Sequence, residues 1–299
     1  MPKSITLDFS QKNIWMLTSG ERVLSPGQEN YFYLLFAEEI VPAFAQIAQQ
    51  YPHLKYRILT QRCLHLSSPE TIDNLTGSDW ELCTAPATLP IRPKLISFDM
   101  DSTLICQEVI DEIAREKGCY DEVAAITEAA MRGELDFDQS LTKRVSCLEG
   151  LSEARLARVF EQLTFSPGAE KLLQQLNQWQ IKTIILSGGF DFFAEKIAAK
   201  LCIKNYYANR LEIQKGRLTG KVIPPIMNAQ SKAEHLIKIA LRENIALENT
   251  VAVGDGANDL LVLNQAGLGI AWHAKPAVNK QADVAIKVSA LDVISWIWD

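Results

Sequence analysis

The stretch Lys94-Leu95-Ile96-Ser97-Phe98-Asp99-Met100-Asp101-Ser102-Thr103 decides how the rest of the chain is read. Its first half is a short apolar run of the kind that fills a buried strand, and it ends in acid. Two carboxylates two positions apart share a face while the chain stays extended, because side chains alternate with a period of two. Asp99 sits at the strand end and is the better nucleophile candidate. An aspartate can attack phosphorus and divide one difficult displacement into two easier ones. Asp101 is then suited to protonate the leaving oxygen and later to deprotonate the attacking water. The competing reading of a lone Asp-x-Asp is a solvated turn, since Asp and Thr are common turn formers. The apolar strand in front of it weakens that reading.

Downstream, strands alternate with helices. Residues 182–186 form a β-branched run into Ser187-Gly188-Gly189, and residues 250–253 run into Gly254-Asp255-Gly256-Ala257-Asn258-Asp259. Residues 206–222 read as a strand pair, and residues 268–271 and 284–288 as short strands. Helices are expected from about 165 to 179, from 192 to 201, from 231 to 243 and from 257 to 266. The span 105–163 reads as helical throughout, punctuated by Gly118, Gly133 and Gly150. Such alternation implies an α/β fold, a doubly wound parallel sheet with helices on both faces. Ligands of such sheets sit beyond the carboxyl ends of the strands, so the three polar clusters should face one crevice.

Upstream, three prolines fall within Pro86–Pro93 and predict an extended linker over residues 85–93. Residues 1–84 read as a small α/β unit. Strands are expected over 5–9, 14–17 and 54–58, and a helix over 31–50.

The second and third clusters suit phosphate and metal. Asp255 and Asp259 lie four apart at a strand-to-helix junction and share a face of the first helical turn. Beside Asp99 and Asp101 their repulsion would be relieved by a hard divalent cation, for which Mg²⁺ fits best. Helix capping is an equal reading of these acids and Asn258 at this point. Ser187-Gly188-Gly189 offers a hydroxyl and unhindered N–H groups, a natural phosphate cradle, though glycine also serves simple turns. Lys232, in a first helical turn, runs against the macrodipole and hints at an anionic partner. A single lysine is otherwise more often solvated.

Composition excludes other classes. The 299 residues are 47% hydrophobic and 22% charged, with a net charge of -6. That is ordinary for a globular chain and gives no electrostatic reason to bind nucleic acid. Residues 1–93 carry seven Lys/Arg and nine Asp/Glu, so there is no basic tail or membrane patch. No apolar run approaches a bilayer span, and no signal-peptide pattern opens the chain. Six cysteines without a CxxC pair and four scattered histidines predict a reduced, cytoplasmic protein without a His/Cys metal site.

Taken together, Asp99-Met100-Asp101-Ser102-Thr103, Ser187-Gly188-Gly189, Lys232 and Gly254-Asp255-Gly256-Ala257-Asn258-Asp259 resemble, in order, the four motifs of the haloacid dehalogenase superfamily of phosphotransferases. Ser102-Thr103, where many members have Gly-Thr, resembles its phosphoserine-specific phosphatases. So does the segment 108–151, which is similar to their small helical cap. The resemblance covers residues 94–299. It implies a Rossmann-like core over 94–104 and 164–299, with the cap, 105–163, inserted after the first strand.

It also implies Mg²⁺-dependent hydrolysis of O-phospho-L-serine through an aspartyl phosphate, the last step of L-serine biosynthesis. Asp99 would be the nucleophile and Asp101 the acid/base. Asp99, the Asp101 carbonyl and Asp255 would hold Mg²⁺, with Asp259 supporting them. Ser187, Gly188 and Lys232 would grip the phosphoryl group, with Asn258 beside the substrate. Glu108 would meet the substrate ammonium and Arg144 its carboxylate, which a forked guanidinium can read bidentately. Met131 and Phe137 would close over the substrate, although ordinary cap packing would equally explain both. Some longer relatives carry an amino-acid-binding regulatory domain of the ACT type before the core. Residues 1–93 are compatible with that, and equally with a structural or homodimerising role. The competing activities are hydrolysis of phosphothreonine or phosphoethanolamine, or transfer to another alcohol. A signalling receiver domain is disfavoured, because it has no use for Asp101.

Overall fold

The computed structural model describes residues 30–36, 55–60, 62–68, 80–86 and 91–298. The chain divides into two units, Pro90–Ser295 and Met1–Leu89 with Trp296–Asp299.

In the N-terminal unit, β1 (Asn30–Phe36), β2 (Lys55–Thr60), β3 (Cys63–Ser68) and β4 (Trp80–Thr84) form one antiparallel sheet in the order β2-β3-β1-β4. This corrects the helix expected over 31–50. Residues 31–36 lie in a strand paired on both sides, with Tyr33 opposite His65 and Cys83. The run Tyr-Phe-Tyr-Leu-Leu-Phe has the aromatic content that favours a pleated sheet, and two neighbouring strands satisfy its backbone in a way helical spacing could not reveal. Residues 37–50 of that helix, the strands expected over 5–9 and 14–17, and residues 87–90 of the linker lie outside the described residues.

The second unit is built on β5 (Leu95–Phe98), β6 (Lys182–Phe190), β7 (Asn205–Gln214), β8 (Arg217–Ile223), β9 (Thr250–Gly254), β10 (Leu268–Trp272) and β11 (Val284–Ile286). Their order is β11-β10-β9-β5-β6-β7-β8. All pairs are parallel except β7 with β8. Strands β5, β9 and β10 are buried at every position, as parallel strands covered on both faces must be. The β7–β8 hairpin turns at Lys215 and Gly216, both at positive φ. The sequence reading of both the sheet and the hairpin holds.

Four helices follow β5: α1 (Val109–Lys117), α2 (Tyr120–Met131), α3 (Phe137–Ser146) and α4 (Glu153–Gln162). The glycines that separate them, Gly118, Gly133 and Gly150, all adopt left-handed φ. Gly118 closes α1 with its N–H on the carbonyls of Ala114 and Arg115, as a C-cap glycine does. Asp136 opens α3 with a reciprocal capping box to Gln139. The helical insert leaves and rejoins the core through a narrow neck. Ile105 and Phe165 form an antiparallel bridge, the Cys106 N–H donates to Thr164 O at 3.0 Å, and the Ser166 N–H donates to Leu104 O at 3.0 Å.

The core helices are α5 (Ala169–Gln178), α6 (Asp191–Lys200), α7 (Ala229–Arg242), α8 (Leu260–Gln265) and the short α9 (Pro276–Asn279). Two local expectations shift. Strand β6 runs through Ser187-Gly188-Gly189 to Phe190, with its register against β7 broken between Leu186 and Phe190. Ala257–Asp259 is a 3₁₀ turn ahead of α8 rather than part of it.

Candidate active site

Strand β5 lies mid-sheet with β6 on one side and β9 on the other. Its carboxyl end is therefore the point where successive connections diverge, the position at which open α/β sheets bind ligands. Asp99 occupies that end and is buried. Its Oδ1 accepts from the Met100 N–H at 2.7 Å and faces the Lys232 Nζ at 3.0 Å.

Lys232 is 0% exposed, so the solvated alternative for this first-turn lysine does not hold. Its Nζ also donates to Asp259 Oδ1 at 2.6 Å. Burial alone would lower its pKa, but Asp259 and Asp99 more than reverse that and raise it. The ammonium is thus fixed in its charged form between two acids.

Ligand atoms of Asp99, Asp255 and Asp259 lie within 4.8 Å of one another. Desolvation first, then Asp99 and Asp259, pushes the Asp255 pKa up to about 8. Desolvation and Asp99 push Asp259 up to about 7, against the pull of Lys232. Crowded carboxylates offering only oxygen are the donor set of a hard divalent cation. The three acids differ in what they have free. Asp259 gives one oxygen to Lys232 and the other to the Gly256 N–H at 3.1 Å. Among the described residues, the Asp255 side chain accepts only the Thr103 hydroxyl, at 3.2 Å on Oδ1.

Asp101 stands beside this cluster with its Oδ1 buried and, among the described residues, without a hydrogen-bond partner. Desolvation, then Glu108 and Asp99, raises its pKa above that of a free aspartate, which favours the acid form. Gly189 makes room for it, since a Cβ there would fall 2.5 Å from Asp101 Oδ2 and 2.7 Å from Met100 Cε. The Ser187 hydroxyl, fully buried, accepts from the Gly189 N–H at 2.9 Å.

Sequence reasoning missed Asn209, which is 0% exposed. Its amide donates to Gly188 O at 2.8 Å and Met227 O at 3.2 Å, and accepts from the Met227 N–H at 2.7 Å. It therefore ties the glycine loop to the segment leading into α7 and Lys232. No motif spacing points to it; only the sheet register brings it there.

The cap closes a cleft of about 780 Å³ over these groups, and ten of the twelve sequence-predicted residues line it. Lys232 and Asp259 lie behind the lining, against Asp99. Glu108 precedes α1 and keeps an exposed face in the cleft, where it accepts the Ser102 hydroxyl at 2.7 Å. Desolvation raises its pKa, with Asp99 and Asp111 adding, against the Ser102 bond and Arg144. Arg144, on α3, is half-buried, and its Nε donates to Ser140 O at 3.4 Å. Burial lowers its pKa, and Asp111, Glu108 and Asp101 oppose that.

Phe137 lies over Gly188, with its Cζ 3.1 Å from where a Cβ would be. Met131 is 69% exposed on the rim, so packing inside the cap does not explain it. Asn258 is half-buried in the cleft wall. A second contact missed from sequence joins cap to core: Asn228, the N-cap of α7, donates to Asp138 Oδ1 at 3.1 Å.

A model of the haloacid dehalogenase-like hydrolase family matches residues 96–264. A phosphoserine phosphatase of Idiomarina loihiensis is 52% identical over 197 residues, which span 66% of this chain and 90% of that one. Among solved structures, a HAD family hydrolase from Salmonella enterica serovar Typhi aligns with a TM-score of 0.77 at 34% identity. That alignment covers 91% of this chain and 99% of that one. A phospho-aspartyl intermediate analogue of a phosphoserine phosphatase aligns with a TM-score of 0.64 at 45% identity, covering 68% of this chain and 98% of that one.

Proposed function

The chain belongs to the haloacid dehalogenase-like hydrolases, and from that premise we propose that it is a phosphoserine phosphatase. It hydrolyses O-phospho-L-serine to L-serine and phosphate through a phosphorylated Asp99, the last step of L-serine biosynthesis. One observation carries the reading: Asp99 and Asp101 share a cleft with a carboxylate and a guanidinium from the cap, Glu108 and Arg144.

The chemistry follows from the geometry. Lys232 and the Met100 N–H both engage Asp99 Oδ1, which leaves Oδ2 to attack phosphorus. As the phosphoryl group passes to Asp99, protonated Asp101 gives its proton to the serine oxygen that leaves. The resulting carboxylate then takes a proton from the water that opens the acyl phosphate. The Ser187 hydroxyl, the Gly188 N–H and Lys232 hold the phosphoryl oxygens, with Asn258 at their edge.

The all-oxygen donor set suits Mg²⁺, which Asp99, the Asp101 carbonyl and Asp255 would hold. Bound there, it supplies positive charge against the phosphoryl oxygens. Asp259, with both oxygens given to protein donors, orients Lys232 and Gly256 instead of binding metal. Glu108 meets the substrate ammonium and Arg144 its carboxylate. Phe137 and Met131 close over the ester and keep bulk water out.

In this reading residues 94–104 and 164–299 are the catalytic core, 105–163 the substrate-reading cap, and 1–84 a regulatory or dimerising unit joined by 85–93. All six cysteines are free thiols, which supports a reducing cytoplasm.

Phosphate release with Mg²⁺ from O-phospho-L-serine, O-phospho-L-threonine and phosphoethanolamine tests the activity, with Asp99→Asn as control. A preference for phosphoserine that vanishes in the variant is expected. Turnover retained by Asp99→Asn would remove the nucleophile, and equal rates on all three esters would remove the substrate.

A further inference from the structure

We infer that Ser102 sets the substrate preference of the cleft by holding the Glu108 carboxylate where an ammonium group can meet it. The inference rests on the reading of Glu108 given above and concerns a positioning residue.

The backbone gives the first argument. Ser102 has φ 55°, in the left-handed region that glycine enters freely and serine does not. Nothing in the backbone there asks for a side chain, since the Ser102 N–H is already given to Gln107 O at 3.3 Å. The side chain has one visible use. Its hydroxyl donates to Glu108 Oε1 at 2.7 Å, a short bond to an ionisable acceptor.

Glu108 gives the second argument. It is the N-cap of α1, with extended backbone, yet its side chain makes no capping hydrogen bond to the helix. Asp, Asn, Ser and Thr are the residues that cap well. Glu108 instead turns its carboxylate towards Ser102 and the cleft. It does so against the like charges of Asp99 and Asp111, which favour its swinging away. Arg144 attracts it, but in the proposed reaction Arg144 is engaged by the substrate carboxylate. Ser102 is then the neutral donor that keeps a long, flexible acid in place without competing for the substrate. A second cation in its place would cancel the charge that the ammonium must find.

The test compares O-phospho-L-serine with 3-phosphooxypropanoate, which keeps the phosphoryl group and the carboxylate but lacks the ammonium. Ser102→Gly should lower kcat/KM for phosphoserine roughly tenfold, mostly through KM, as expected for a lost hydrogen bond to a charged group. The same variant should change hydrolysis of 3-phosphooxypropanoate much less. Its melting temperature should stay near the parent's, because glycine's ease at φ 55° offsets its freer unfolded chain. Ser102→Ala, which removes only the hydroxyl, should give the same loss of selectivity. In a Glu108→Gln background, where selectivity has already collapsed, adding Ser102→Gly should change the ratio no further. Equal losses on both esters, or no loss on either, overturns the inference. If Glu108→Gln collapses the ratio and Ser102→Gly does not, only the inference falls. If Glu108→Gln leaves the ratio unmoved, the ammonium reading falls and takes the inference with it.

Discussion

Replacing Lys232 with methionine isolates the electrostatic heart of the site. Methionine keeps most of the aliphatic stem and fills the same buried space, so the loss reports charge rather than a cavity. Two buried carboxylates, Asp99 at 3.0 Å and Asp259 at 2.6 Å, lose their common partner. Removing one member of a buried ion pair costs about 3–5 kcal/mol. A unit of about 200 residues loses roughly 2–4 °C of melting temperature per kcal/mol, so the transition of Pro90–Ser295 should fall by about 6–20 °C. The deficit should depend on pH. With Lys232 present, burial and Asp99 already lift Asp259 to about 7, and removing the lysine lifts it further. An acid whose folded pKa is raised contributes stability that is lost as pH rises through that value. The variant therefore neutralises Asp259 at pH 5.5 and recovers, and it is most compromised at pH 8.5, where that acid is ionised. Calorimetry of metal-free protein at pH 5.5 and 8.5 measures both. A deficit below about 3 °C at pH 8.5, or one of the same size at both pH values, would refute the reasoning.

Arg144→Ala should reduce kcat/KM for phosphoserine at least tenfold more than for phosphoethanolamine, which offers the guanidinium no carboxylate; parallel losses would take Arg144 out of recognition. Gly189→Ala would place a Cβ 2.5 Å from Asp101 Oδ2. It should cut kcat by about a hundredfold through displacement of that carboxylate, with little change in melting temperature, and near-normal kcat would show that Asp101 is free to move. Desolvation and Asp99 lift Asp255 from an ordinary 3.8 to about 8. Stability from that protonated acid is complete below about pH 4 and fades as pH rises through 8. Metal-free protein should therefore melt lower at pH 8.5 than at pH 5.5, and added Mg²⁺ should restore more degrees at pH 8.5. A Mg²⁺ shift equal at both pH values contradicts a cation seated on Asp255.

The catalytic half was legible because its strands are short, buried on both faces and end in polar clusters. Phe98-Asp99 and Gly254-Asp255 each mark a strand end, Ser187 falls where β6 breaks register with β7, and parallel topology turns all three toward one crevice. The cap was legible through its glycines, each at a φ that most side chains avoid. What stayed hidden depended on contacts between distant segments. Residues 31–36 carry apolar side chains at spacings that fit a helix, and only pairing with β3 and β4 makes them a strand. Lys232 has no sequence neighbour that reveals its burial; Asp99 and Asp259 do so in space. Asn209 and the Asn228–Asp138 bond join elements 18 to 90 residues apart. The Ser102 hydroxyl acts on a residue six positions away across a turn whose shape local pattern does not give.

The neck between core and cap has a consequence for how such a protein can change. The chain leaves at Ile105 and returns at Phe165 side by side, stitched by a bridge and two backbone hydrogen bonds. About sixty residues of insert therefore leave and return through one doorway, and a second seam ties residues 150–153 to the β7–β8 hairpin, where the Gly150 N–H donates to Leu218 O at 2.8 Å and Ser152 bridges Arg217. The strands that pair with β5, β6 and β9, both lie outside the insert, so its length is set apart from the pairing of the sheet. In the function proposed above, Glu108 and Arg144 lie beyond that doorway and Asp99 before it, with Ser102 at the threshold where the two stretches meet.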